Sequence, residues 1–246
     1  MDSDVRSTTA SNTSQDTKPV DNGFNALDQS ILEDALSNGP NHKIYATMLL
    51  RKWGFLAIPI DPLTLMQAAA IACAGKKSAV AVELGSAQGV TSARMSEFLA
   101  YIGVEQLEYF CIDNLCLGFA HSAEYPAKLK FIKGDRKILS DLPSVNFGFI
   151  DACHCSECVH KDSIAMSRKI VSGGGMAFHD TSTCGQFPTS GIPVKHWQIS
   201  DSHGPRPLAV LEGLASARPL WDGDWNLIFQ RGDWFPWGGV RAYQKI

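Results

Sequence analysis

The run Ala79-Val80-Ala81-Val82-Glu83-Leu84-Gly85-Ser86-Ala87-Gln88-Gly89-Val90-Thr91 constrains this chain more than any other stretch. A short valine-rich apolar segment ends in an acid. One glycine follows at once, a second four residues later, and then a helix-like stretch runs from Val90 to Tyr101 and stops at Gly103. The pattern reads as strand, tight turn, helix. Gly85 permits a sharp turn off the strand end. Gly89 presents no side chain, so a ligand can approach the start of the helix. The turn is thus a nucleotide-type cradle at the carboxyl end of a buried parallel strand. It lacks the G-x-G-x-x-G spacing of a dinucleotide site.

From Ser78 onward, strands and helices alternate. The apolar runs predict strands over Ala79–Leu84, Leu107–Ile112, Lys130–Lys133, Phe147–Asp151 and Gly175–Phe178, with a helix over Glu157 to Ile170. Such alternation implies a parallel sheet covered on both faces. Trp225–Phe229 and Gly239–Tyr243 follow with only a short Gly/Pro-containing link, so this last pair must be antiparallel. The expected fold class is α/β: a Rossmann-like, doubly wound sheet of seven strands, five parallel plus a C-terminal antiparallel hairpin. Ahead of it, Leu27, Ile31, Leu32 and Leu36 give one helical face and His42 to Trp53 a second helix. Asp61-Pro62 reads as the start of a third, with Asp as cap.

The expected division is a disordered tail over 1–23, a helical cap over 24–76 and the ligand-binding domain over 77–246. The tail is rich in Ser, Thr, Asp and Asn and lacks apolar periodicity. It has no apolar core of a secretory signal. A net charge of −3 in 246 residues gives no basic footprint for nucleic acid. No apolar run is long enough for a membrane span. The seven cysteines suit free thiols in a reducing compartment, so the expected location is cytoplasmic. Three crowd into Cys153 to Cys158. Cys-x-Cys-x-x-Cys with His154 and His160 nearby suggests zinc, but no second cysteine pair accompanies it, and buried thiols packed as small hydrophobes are the expectation.

Ligands of an open α/β sheet lie beyond the carboxyl ends of its strands. Those ends carry Glu83, Asp113, Gly134-Asp135-Arg136, Asp151 with His154, and His179-Asp180-Thr181. Clustered acids repel, and a cation or a donor-rich ligand would explain them. Each residue also has a plainer reading. Asp113 could cap a helix, His154 could be a satisfied core histidine, and Asp180-Thr181 could open a turn.

Together, Glu-x-Gly-x-x-x-Gly at Glu83 to Gly89, Phe149-Ile150-Asp151-Ala152-Cys153-His154, and Gly173-Gly174-Gly175 leading to Ala177-Phe178-His179-Asp180-Thr181 resemble one family. It is the class I S-adenosylmethionine-dependent methyltransferases, in the branch that includes macrocin-type sugar O-methyltransferases and is similar in layout to catechol O-methyltransferase. The resemblance covers about Leu63 to Phe229. It implies O-methylation of a small-molecule hydroxyl, on a sugar or secondary metabolite, with S-adenosylmethionine as cofactor and Mg, Mn or another divalent metal assisting.

By the resemblance, Glu83, Gly85, Ser86 and Gly89 hold the methionine part of the cofactor and Asp113 its ribose. Asp135 and Arg136 lie at the adenine, and Asp151 borders the cofactor. Asp151, His179 and Asp180 match the metal ligands and His154 the general base. His179 stands where the metal-dependent members carry an acid. The implied partner is a small-molecule acceptor, with no nucleic acid or membrane, and a homo-oligomer is compatible. Two rivals stay open: a non-catalytic S-adenosylmethionine-binding protein and a nicotinamide-dependent oxidoreductase. After Thr181 a long polar segment, Ser182 to Pro207, leaves the sheet where an acceptor should sit. Trp221, Trp225, Trp234 and Trp237 follow it, their faces suited to sugars or to core packing.

Overall fold

A computed structural model describes residues 26–37, 41–53, 56, 58–114, 128–183, 208–232 and 238–246. The tail reading over 1–23, residues 184–207 of the long polar segment, and the readings of Trp234 and Trp237 lie outside these residues. Three helices come first: α1 (Ala26–Ser37), α2 (His42–Leu49) and α3 (Ile60–Ala72). Then follow β1 (Ser78–Leu84), α4 (Val90–Tyr101), β2 (Gln106–Asp113), β3 (Lys128–Lys133), β4 (Val145–Ile150), α5 (Ser156–Ser167) and β5 (Ile170–Phe178). The chain ends with α6 (Ala209–Ala217), β6 (Trp225–Arg231) and β7 (Val240–Lys245).

One seven-stranded sheet has the order β3-β2-β1-β4-β5-β7-β6. β1 to β5 pair in parallel, while β7 runs antiparallel to both β5 and β6. The expected five-plus-two architecture is therefore present. The strand order reverses between β1 and β4, which places the ligand crevice of an open sheet there.

Two apolar cores flank the sheet. On one face Ala81, Tyr109, Phe147, Phe149 and Ala177 pack against α1 to α4 through Leu32, Met48, Leu63, Met66, Met95 and Phe98. α3 is apolar around most of its circumference and accordingly sinks into this layer. On the other face Val82, Leu84, Ile112, Ile150 and Phe178 meet Leu139, Val159, Met166, Leu214 and Trp221.

Several elements differ from expectation, and α2 ends at Leu49 instead of reaching Trp53. β5 begins at Ile170, five residues before the expected Gly175, and α5 stops at Ser167 instead of reaching Ile170. Ile170 pairs with Val145 and Gly175 with Phe147, so the glycine run Gly173-Gly174-Gly175 is absorbed by a register shift inside the strand. α6 emerges from an alanine- and leucine-rich stretch that the tryptophan reading passed over.

Candidate functional site

The turn after β1 is left-handed at Gly85 (φ 87°), Ala87 (φ 45°) and Gly89 (φ 73°). A Cβ on Gly85 would lie 2.2 Å from the Asp151 carbonyl oxygen and 2.4 Å from Ala152 Cα. This glycine is needed because the loop leaving β4 passes directly against it, a closer constraint than the sharp turn alone. The turn's N–H groups are engaged within the protein. Gly85 N donates to Ile112 O at 2.8 Å, Gly89 N to Ser86 O at 2.6 Å, and Ala87 N to Asp113 Oδ2 at 2.7 Å. Asp113, at the end of β2, thereby fixes the turn's shape. The Ser86 hydroxyl is buried and has no hydrogen-bond partner among the described residues.

Glu83 does not face this crevice openly. It is 2% exposed, and its Oε2 accepts from the Ser92 hydroxyl of α4 and from the Tyr109 hydroxyl of β2 at 3.4 Å. Burial pushes its carboxyl up to about 8. The residue ties β1, β2 and α4 together from inside.

Asp135 caps a short 3-10 helix (Arg136–Asp141) by accepting from Lys137 N at 2.9 Å. Arg136 reaches Asp162 of α5 at 3.3 Å. Both lie at the end of β3, as the sequence placed them, and both already serve local structure.

The ends of β4 and β5 bring the other predicted residues together. His154 Nε2 stands 2.9 Å from Asp180 Oδ2 and 3.3 Å from Asp151 Oδ1. His179 Nδ1 stands 3.3 Å from the same Asp151 oxygen, and its Nε2 stands 3.3 Å from Asp61 Oδ2. Asp180 holds φ 54°, an uncommon backbone for a non-glycine residue and one that collects at functional sites. The ligand atoms of Asp151, His154 and Asp180 all lie within 4.8 Å of one another. His179, 5% exposed, sits behind them as a bridge to α3.

Asp61 is the residue that sequence reasoning missed. The sequence reads it as a helix cap, yet α3 begins at Ile60 without a side-chain cap bond. Its carboxylate instead crosses to His179 and accepts from Gly239 N at 3.2 Å. A Cβ on Gly232 or Gly238 would come within 2.8 Å of its oxygens, so glycines wall the carboxylate in. The sequence offers only an acid in an otherwise apolar helix, which a helix start explains as well.

Electrostatically the cluster is a row of alternating charges. Burial opposes ionisation of Asp151 and Asp180, yet the histidines hold both carboxyls below the ordinary range. Burial likewise disfavours the imidazolium of His154, but Asp180 and Asp151 raise it to about 10. His179 is raised well above its ordinary value by the same carboxylates, and burial raises Asp61. The two imidazoles lie between carboxylates that favour their charged form, and a bound cation would balance the same negative charges.

Trp221 and Trp225 belong to the core. Trp221 stacks on Phe178 at 6.0 Å between ring centroids and meets Trp225 edge-on at 5.4 Å. Of the four tryptophans, whose faces suit sugars or core packing alike, these two serve packing.

A family model described as a methyltransferase domain matches residues 82–181, from within β1 to just past the end of β5. The O-methyltransferase TomG from Streptomyces achromogenes, in complex with SAM, is 14% identical with a TM-score of 0.53; the match covers 90% of this chain and 96% of that one. The O-methyltransferase from Bacillus cereus, in complex with SAH, is 14% identical with a TM-score of 0.51, covering 88% and 91%. No curated protein matches the chain. At these identities the solved structures establish the fold, and the family model covers the segment that carries both the glycine turn and the charged cluster. Residues 82–181 thus match a methyltransferase domain model, and the chain shares the seven-stranded fold of these O-methyltransferases.

Proposed function

We propose that the protein methylates a hydroxyl of a small-molecule acceptor, a sugar or secondary metabolite, using S-adenosylmethionine, with a divalent cation held by Asp151, His154 and Asp180. The observation that carries this reading is the convergence of those three donors within 4.8 Å, beside the glycine turn at the point where strand order reverses. The O-methyltransferase TomG, which shares this fold, is found in complex with SAM.

The residues here suit that cofactor better than a dinucleotide. A pyrophosphate needs backbone N–H donors, whereas this turn directs those of Gly85, Ala87 and Gly89 inward. The buried, unpartnered Ser86 hydroxyl supplies a polar contact to a bound ligand. Asp113 offers a carboxylate to ribose hydroxyls while holding the turn in place. Two carboxylates and one imidazole suit Mn, Fe or Zn as well as Mg. A bound cation supplies a positive charge that lowers the pKa of an acceptor hydroxyl. The chain's own residues orient the acceptor and exclude water, which matters because displacement at the methyl carbon needs alignment. His179, bridging Asp151 and Asp61, keeps the Asp151 carboxylate from rotating.

His154 as general base is the second reading, favoured by its contact with both carboxylates. Asp180 and Asp151 orient the ring through Nε2, and Nδ1 can act on the hydroxyl only once the imidazolium that they favour has lost its second proton. The two readings place different things at Nε2, a cation or a proton.

Equilibrium dialysis against Mn(II), with elemental analysis, separates them. The first reading expects one Mn(II) per chain in the wild type and none in Asp180→Asn. Isotopically methyl-labelled cofactor, incubated with protein and a small-molecule extract, should yield a labelled product. Absence of bound metal together with full turnover in excess chelator would eliminate the cation and leave His154 as base. Cofactor binding with no labelled product from any acceptor would instead make this a binding protein.

A further inference from the structure

The three cysteines around the start of α5 are not the buried apolar thiols that the sequence suggests. Cys73 and Cys111 match that description, being buried in the core. Cys153 is exposed and Cys158 half-exposed, and Cys155 alone is buried. An exposed thiol contributes little to packing, so burial does not account for the group. Their sulfurs nonetheless converge. Cys153 Sγ lies 3.3 Å from Cys155 Sγ, and all three sulfurs lie within 4.8 Å of one another.

Local structure makes this convergence. Cys155 is the cap of α5, and its sulfur accepts from Cys158 N at 3.3 Å. Cys158 comes back over the cap after one helical turn. Cys153 lies two residues before the cap, and its sulfur reaches that of Cys155. The Cys-x-Cys-x-x-Cys spacing therefore wraps three sulfurs around one point. A zinc–sulfur bond of about 2.3 Å places tetrahedral ligand sulfurs about 3.8 Å apart. The observed spread brackets that separation, so small side-chain rotations suffice to bring all three to one ion. The exposed Cys153 gives the path of entry.

We infer that Cys153, Cys155 and Cys158 form a second metal site, a three-thiolate site for a thiophilic cation such as Zn(II), separate from the carboxylate–imidazole cluster. Binding releases the three thiol protons to solvent and leaves the fourth coordination position to water or an exogenous ligand. The site has a consequence for its neighbour. His154 lies between Cys153 and Cys155 in the chain, so an ion on the sulfurs anchors the backbone on both sides of the imidazole. Metal at the thiolates would then hold His154 against Asp151 and Asp180.

The full-length, reduced protein can be titrated anaerobically with Cd(II) alone, following the ultraviolet sulfur-to-metal charge-transfer band, and then with Zn(II) in competition. One ion per chain is expected on the thiolates. Cys153→Ser removes an exposed ligand with little threat to folding. It should weaken binding by more than about 100-fold, beyond the 10–100-fold typical of losing a residue that merely supports a ligand. Cys155→Ser, which keeps a capping side chain, and Cys158→Ser should do the same. Asp180→Asn, Cys116→Ser and Cys184→Ser should retain the band. A wild-type titration without the band would overturn the inference, as would unchanged affinity in Cys153→Ser or loss of the band in Cys116→Ser or Cys184→Ser. So would a Cys155–Cys158 disulfide in protein purified without reductant, coupled with no metal uptake after reduction; the pair would then be a redox couple.

Discussion

Replacing Glu83 by Gln should change how stability depends on pH in a defined direction. The carboxyl is 2% exposed, and burial lifts it from 4.5 to about 8. The folded protein therefore holds a proton that the unfolded chain releases near pH 4.5. Stability from this group is fully present below that value and declines as pH rises, until the folded carboxyl also ionises near 8. Each unit of displacement is worth about 1.36 kcal/mol, which sets a ceiling of roughly 5 kcal/mol across the window. Glutamine keeps the shape and the acceptor oxygen for Ser92, and its amide can donate toward the Tyr109 oxygen. It carries no titration, so the variant should gain on the wild type by a few kcal/mol between pH 5 and 8.5. Urea denaturation of both proteins at half-unit intervals measures the difference. Other buried acids such as Asp162, also raised by burial, to about 6, cancel in it. A difference that stays constant across the window would refute the reasoning, because Glu83 would then ionise alike in the folded and unfolded chain.

Two further outcomes follow from the site. Asp113→Ala should weaken S-adenosylmethionine binding by about 1.5–3 kcal/mol, the range for hydrogen bonds to a charged group; calorimetric titration of both proteins checks it, and equal affinities would remove Asp113 from the cofactor site. Gly85→Ala must place a methyl 2.2 Å from the Asp151 carbonyl at φ 87°. Strain and overpacking together should cost roughly 2–6 kcal/mol, and a loss below about 1 kcal/mol in denaturant midpoints would show that the β4 loop moves aside at little cost.

The sheet was legible because its signal is local. Short apolar runs with acids at or just beyond their ends mark the parallel strands, and a short link between the last two strands leaves only an antiparallel pairing. The positions of Asp113, Asp151, His154 and Asp180 followed from the rule that strand ends share a crevice. What escaped was long-range. Asp61 precedes His179 by 118 residues, and its local sequence gives a complete account of it as a helix start. Glu83 reads as a strand-end acid facing a ligand, but the alternation of β1 turns it toward Ser92 and Tyr109, which no nearby residue announces. The convergence of three cysteine sulfurs likewise depends on where α5 begins. Sequence spacing places Cys158 on a helix without showing that Cys155 caps it.

The place of β7 couples the edge of the sheet to the charged cluster. Among the described residues β6 pairs in the sheet with β7 alone, and β7 joins it to β5. Gly238 and Gly239, just before β7, accept from Ser182 N and Thr181 N and donate from Gly239 N to Asp61 Oδ2, over the charged cluster. Withdrawing β7 would therefore detach β6 and uncover Asp61 and His179 in one event, so pairing at the sheet edge and burial of the ion row stand or fall together.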